Sequence, residues 1–218
     1  MATLLIAPPE AWEQRVVMHN VSWETYEGLL AANADASSPR LTYHHGTLEI
    51  MSPSFQHERL TRTLAAIAQL VAEEIGAEFD DVGSTTFRRR EFKAGAEPDS
   101  CFYLQNADRI RGKPEIDLAV DPPPDLVIEV EITSPAVSKL PIYARFGVPE
   151  IWLTDGRQVR ILRLAGEQYE ASDSSGSLPP LSGAALSELL EQRKTLSMLA
   201  WRRLVRNWAR ERRPQASQ

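Results

Sequence analysis

Three acidic residues set in strand-like surroundings are the part of this 218-residue sequence best equipped for chemistry. Residues Asp125 to Ile132 read DLVIEVEI, a near-continuous apolar run interrupted only by Glu129 and Glu131. Such a run suits a central strand covered on both faces. Taking a carboxylate out of water costs several kcal/mol unless it is paired or holds a cation. Standing at i and i+2, Glu129 and Glu131 point to one face of that strand. Asp99 begins another strand-like segment, EPDSCFYLQ, after Ala94-Gly95-Ala96, which reads as a turn. Acids converging from two adjacent strands make an oxygen-rich site suited to Mg²⁺ or Mn²⁺, without the Cys/His set that structural zinc prefers. A plainer arrangement satisfies the same pattern. The two glutamates then face solvent on a half-covered sheet, or pair with Arg88, Arg90 or Arg145. The residues alone leave both open.

The elements that must position these acids follow from periodicity and punctuation. SWETYEGLLAA, residues 22–32, reads as a helix capped by Ser22, with Trp23, Tyr26, Leu29 and Leu30 as its apolar stripe. Residues 41–51 form a hairpin turning at His45-Gly46, and Ser52-Pro53-Ser54 breaks it. From about His57 to Ile75, Leu60, Leu64, Ile67, Val71 and Ile75 recur at helical spacing, and Gly76 supplies the stop. Residues 82–92 read as a strand, and 106–124 as a polar connection ending in three prolines. A short helix runs from Lys139 to Phe146. EIWLTDGRQVRILRL is a hairpin with Asp155-Gly156 at its turn, extended by a weaker strand around Gln168 to Ala171. After a Ser/Gly/Pro loop over 172–183 the chain is helical, with Leu196, Leu199, Ala200 and Leu204 as the expected apolar stripe. This order predicts a mixed α/β domain with a central sheet.

Length leans towards one domain, and the composition is that of an ordinary soluble chain. The only cysteine, Cys101, excludes an intramolecular disulfide and suits a reducing compartment. The short apolar N-terminus lacks a basic flank and is broken by Pro8-Pro9, so a secretion signal is not expected there. No stretch approaches the roughly 18 apolar residues that a membrane span needs. The expected location is the cytoplasm. Net charge is −6, but residues 193–213 alone carry +7 and leave −13 on the rest. That asymmetry permits a local phosphate-binding surface beside an acidic body.

Five segments carry a family likeness: GTLEIMSP (46–53), GSTTFRR (83–89), EPDSCFYLQNA (97–107), PPPDLVIEVEIT (122–133) and KLPIYARFGVPEIWLTDG (139–156). Together they resemble the bacterial restriction-endonuclease family called Uma-two, over about Ser22 to Leu190. The resemblance implies the PD-(D/E)XK nuclease fold: a restriction-endonuclease-like core with a central mixed sheet flanked by helices, here with an extra C-terminal helix. It divides the chain into an N-terminal extension (1–21), the nuclease-like domain (22–190) and a basic C-terminal helix and tail (191–218). Pro98-Asp99 resembles the motif's first acid and Glu129 its second. The motif's lysine belongs two residues after that acid, where this chain has Glu131. Lys139, at the start of the following short helix, is the candidate for a migrated amine, against the alternative of a solvated lysine on a helix end.

The expectation is a Mg²⁺- or Mn²⁺-dependent endonuclease cutting phosphodiesters of nucleic acid, DNA first. Asp99, Glu129 and Glu131 would serve as metal ligands, and Lys139 would complete the catalytic set. Glu58, His57 and Glu49 are further candidates; His57-Glu58 is equally a helix N-terminal pair favoured by the dipole. Arg88, Arg89 and Arg90 are candidates for tracking phosphates, although a charge run is usually a solvated face. A homodimer is the expected assembly, since many enzymes of this fold cut both strands as dimers. The alternative is a nuclease-fold protein that binds nucleic acid or a protein partner without cutting, because of the glutamate at 131. A small-phosphate-ester hydrolase is a third option, to be recognised by a narrow pocket.

Overall fold

The computed structural model describes residues 13–33 and 38–213. The apolar N-terminal run and the last residues of the tail lie outside them. In chain order the elements are β1 (Gln14–Met18), α1 (Trp23–Ala32), β2 (Arg40–His44), β3 (Thr47–Ser52), α2 (Phe55–Ile75), β4 (Asp80–Asp81), β5 (Phe87–Arg89), β6 (Ala94–Ala96) and β7 (Ser100–Tyr103). There follow α3 (Ala107–Ile110), β8 (Leu126–Val130), α4 (Leu140–Phe146), β9 (Glu150–Thr154), β10 (Val159–Ala165), β11 (Gln168–Ser172), α5 (Gly183–Gln192) and α6 (Met198–Arg210).

Two sheets result. The larger has six strands in the order β11-β10-β9-β8-β7-β4 and is mixed: β8 and β9 run parallel, and the other neighbours are antiparallel. The parallel step follows from the chain, because α4 carries it from the end of β8 back to the start of β9. The smaller sheet is antiparallel throughout, in the order β1-β3-β2-β6-β5.

Period-2 alternation along β8 divides the core. Leu126 and Ile128 face a layer built by α2, α5 and α6, where Leu64, Ile67, Val71, Leu186 and Trp201 are buried. Val127 faces the other way, against Phe87, Ala94 and Ala96 of the small sheet and Ile142 and Tyr143 of α4. One face of the mixed sheet is thus covered by helices, and the other by α4 together with a second sheet.

Local chemistry explains most boundaries. Ser22, Ser54, Ser182 and Ser197 each cap a helix by accepting a backbone N–H. Gly76 and Gly147 end α2 and α4 in the left-handed conformation.

Three expectations need correction. The segment 82–92 is a strand only over Phe87–Arg89, followed by a short 3-10 turn. Ala94-Gly95-Ala96 is the buried strand β6 rather than a turn. Its small residues are required by packing, since a Cβ on Gly95 would lie 2.2 Å from the Tyr26 hydroxyl oxygen. On α6 the buried stripe is Trp201, Val205 and Ala209, whereas Leu199 is exposed. Arg206 and Arg210 then pair with Glu73 and Glu74 at the far end of α2.

Candidate active site

Strands β7 and β8 are hydrogen-bonded neighbours, and they bring Asp99, just before β7, beside the carboxyl end of β8. Asp99 and Glu129 are both buried, with 4% exposure each. Glu129 shares the face of Val127 and meets α4. There Lys139, at the N-cap of that helix, donates to Glu129 Oε2 at 2.9 Å and Oε1 at 3.2 Å, and to the Glu97 carbonyl at 2.8 Å. One turn later the Tyr143 hydroxyl donates to Glu129 Oε1 at 2.6 Å. Lys139 therefore reaches Glu129 from the start of the helix that follows β8.

Asp99 has a different set of partners. Its Oδ2 accepts the Val130 N–H at 2.7 Å and lies 2.9 Å from His57 Nε2, and its Oδ1 accepts from Arg40. Arg40 also pairs with Glu58 at 2.6 Å. Behind these, His57 Nδ1 donates to Glu13 Oε1 at 2.6 Å, and Arg15 joins Glu13 to Glu49. Glu49 in turn accepts the Ala136 and Val137 amides that lead towards Lys139.

The electrostatics differ accordingly. Burial pushes the Asp99 carboxyl up, but Lys139, His57 and Arg40 outweigh it and hold Asp99 well below the usual carboxylate range. Burial also raises Glu129, Lys139 lowers it and the Asp99 charge raises it again, leaving it pushed up to about 7. For His57, burial favours the neutral ring, yet the bonds to Asp99 and Glu13 prevail and raise it to about 9. Glu13, despite burial, is held at about 2 by His57, Thr133 and Arg15. Burial lowers the Lys139 amine, but the two acids keep it above its ordinary value. It is an ammonium at neutral pH.

A cleft of about 700 Å³ opens over Asp99, lined also by Arg40, Glu58, Arg62, Ser100 and Arg202. Glu131, just past β8, is half-buried, and its side chain makes no hydrogen bond or ion pair among the described residues. Burial raises its carboxyl as well.

Asp99, Glu129 and Lys139 thus come together, with His57 and Glu58 attached through Asp99 and Arg40. Glu49 stands further out, behind Arg15. Arg88 and Arg90 are on the small sheet's edge, facing Glu24 and Glu27 of α1, while Arg89 donates to the Leu118 carbonyl. Sequence reasoning missed Glu13, Arg15, Arg40 and Tyr143. Only Tyr143 carried a readable signal, at i+4 from Lys139 on the same helix face.

Among the described residues no group of three or more His, Cys, Asp and Glu side chains stands together as a metal-ligand set. Two buried carboxylates of hard oxygen type do stand together on the adjacent β7 and β8 segments. Mg²⁺ commonly takes only one or two carboxylates, filling its shell with water and substrate phosphate. By donor type and charge, the pair fits such an ion.

Residues 23–198 match the Uma2 family, described as "Putative restriction endonuclease". The chain belongs to this family. The match accords with the family resemblance carried by the five segments. One solved structure with a similar fold is a "putative nuclease belonging to DUF820" from Anabaena variabilis ATCC 29413, at 19% identity and a TM-score of 0.47 over 70% of this chain and 92% of that one. No curated protein matches the chain. No helix of the described residues is long and apolar enough to cross a membrane.

Proposed function

We infer that this Uma2 protein is a metal-dependent endonuclease hydrolysing phosphodiester bonds of nucleic acid, with DNA as the preferred substrate and the cytoplasm as its place of action. The observation that carries the reading is Lys139 Nζ at 2.9 Å from Glu129 Oε2, which restores the acid–acid–amine set from a different element. Asp99 and Glu129 would hold Mg²⁺ or Mn²⁺. When bound, such an ion lowers the pKa of a water and screens phosphate charge.

The chain's own residues do the rest. Asp99, locked by Arg40, His57 and the Val130 amide, keeps its orientation as a permanent carboxylate. Tyr143 fixes one oxygen of Glu129 and leaves the charge of that acid adjustable near neutrality. Lys139, held as an ammonium, stabilises the charge that builds on the phosphoryl oxygens. Glu131 orients the attacking water and takes its proton as the new oxygen–phosphorus bond forms and the ester bond to the leaving strand breaks. A homodimer would offer two such sites to the two strands of a duplex.

A second reading, binding of nucleic acid or a protein partner without cutting, is favoured by one feature: both Asp99 oxygens are already matched by Arg40, His57 and a backbone amide. Cleavage separates the two. Purified protein would be given supercoiled plasmid, single-stranded DNA and RNA with Mg²⁺, Mn²⁺ or chelator, beside Asp99→Ala and Glu129→Ala. The nuclease reading expects metal-dependent cutting that falls by more than about 10³-fold in both variants, the loss expected when several kcal/mol of charge stabilisation is removed. Folded protein that cuts nothing favours binding alone.

A further inference from the structure

A second cleft, of about 350 Å³, lies on the opposite flank of α2 from the one over Asp99. Glu58, Thr61 and Arg62 of that helix face the Asp99 cleft, and Gln56, Arg59 and Leu60 face the second. At the tip between them stands Phe55, the first residue of α2, with 83% of its surface exposed. One exposed aromatic needs no explanation by itself. Here it borders an apolar floor formed by Leu60, Leu190 and Gly156, rimmed by Arg59, Arg157, Arg193 and Lys194 with Glu191 as the only acid in the lining.

The arrangement is built in. Gly156, at φ +87°, turns the β9–β10 hairpin tightly against α2, where a Cβ would meet Leu60 at 3.3 Å. That contact sets Arg157 beside Arg59. From the other side, the link between α5 and α6 brings up Arg193 and Lys194, while Met198 and Arg202 of α6 reach the Asp99 cleft.

We propose that this second cleft binds a single-stranded stretch of nucleic acid, one unstacked base lying on Phe55 and the flanking phosphates on the basic rim. Glu191 pairs with Lys194, and the three remaining cations, Arg59, Arg157 and Arg193, complement a polyanion, not an acidic or neutral peptide. An aromatic platform beside a basic groove is how single strands are held without sequence reading, and paired bases in a duplex have no free face to offer it. The proposal rests on the nuclease reading for its direction: a strand leaving the Asp99 cleft over the first turns of α2 meets Phe55.

The test is fluorescence anisotropy in chelator, so that nothing is cut, with a labelled single-stranded DNA 12-mer and the corresponding duplex. Phe55→Ala should weaken single-strand binding about tenfold, within the range of one base–aromatic stack, while Phe55→Trp preserves it and duplex affinity changes less than about twofold. Arg157→Ala should reduce the slope of log affinity against log salt by about 0.7, one phosphate contact on a single strand. Single-strand affinity unchanged in Phe55→Ala overturns the proposal, and so does equal weakening of the duplex. If the proposal fails in this way while Asp99→Ala still abolishes cutting, the nuclease reading stands. Wild-type protein that neither binds nor cuts nucleic acid removes both. Self-association lost in Phe55→Ala, with DNA binding untouched, assigns the face to a second copy and also overturns the proposal.

Discussion

Asp99, just before β7, and Glu129, on the neighbouring β8, are equally buried, yet they stand in opposite electrostatic conditions. Asp99 is met by two cations and an amide, and these cations are held from behind by Glu13, Glu58, Arg15 and Glu49. Glu129 meets one ammonium and one hydroxyl, with a second carboxylate nearby. One acid is therefore fixed as an anion, and the other titrates near neutrality. The remaining buried acids sharpen the contrast. Glu150 accepts from Trp152, Ser175 and the Gly176 and Ser177 amides, and Asp125 from the Leu104 and Asn106 amides. Those two tie loops to the sheet with neutral donors, as buried acids in structural roles do. Around Asp99 and Glu129, by contrast, cations from three elements gather on two adjacent carboxylates. Environment, more than residue type, separates an acid that holds a loop from one equipped for chemistry.

The widest expected separation is in stability. Asp99→Asn takes from Arg40 and His57 the anion they share, leaving only Glu58 and Glu13 behind them, and should cost about 3 kcal/mol. Glu129→Gln removes an anion that burial disfavours and keeps an amide oxygen for Tyr143 and Lys139, so it should cost less than about 1.5 kcal/mol. Urea unfolding of both variants in chelator at pH 6 checks this, and equal costs would break the contrast.

Next comes pH. The folded-state value of His57 is raised to about 9, from an ordinary 6.5, so the stability it contributes is complete below about 6.5 and lost as pH rises through 9. Metal-free protein should lose about 3 kcal/mol over that window, an amount set by the displacement of the ring's affinity for its proton. His57→Gln should flatten the slope, and an unchanged profile would remove His57 from the network.

The smallest effect belongs to the arginine run. Arg88 and Arg90 sit in exposed pairs with Glu27 and Glu24, so Arg88→Ala and Arg90→Ala should each shift unfolding by less than about 1 kcal/mol. Loss of DNA affinity in either would bring phosphates to this edge of the small sheet as well.

Much of this arrangement is legible in the residues themselves. Helix α2, the β9–β10 hairpin and the buried run of β8 announce themselves by periodicity and by glycine at their ends. Asp99 and Glu129 are readable as candidates because an acid in an apolar strand demands a partner, and Lys139 through the family resemblance. The outer support is not. Glu13 and Arg15 look like surface charges at the start of a short strand, and Arg40 like the polar start of a hairpin. Their burial exists only once β1 has paired with β3 and α2 has brought up His57. On α6 the signal was present in another form: Trp201, Val205 and Ala209 recur every four residues, while counting leucines selects Leu199, which faces outward. Ala94-Gly95-Ala96 has turn-like composition because Tyr26 leaves room for nothing larger.

The central claim is that Lys139 supplies the amine that position 131 lacks. It is tested most directly by plasmid cleavage with Lys139→Met and with Lys139→Arg. The account predicts that Lys139→Met, shown to be folded, loses about 10²–10³-fold in rate, and that Lys139→Arg, which keeps the positive charge, loses less. A Lys139→Met protein that cuts DNA at the wild-type rate would contradict it.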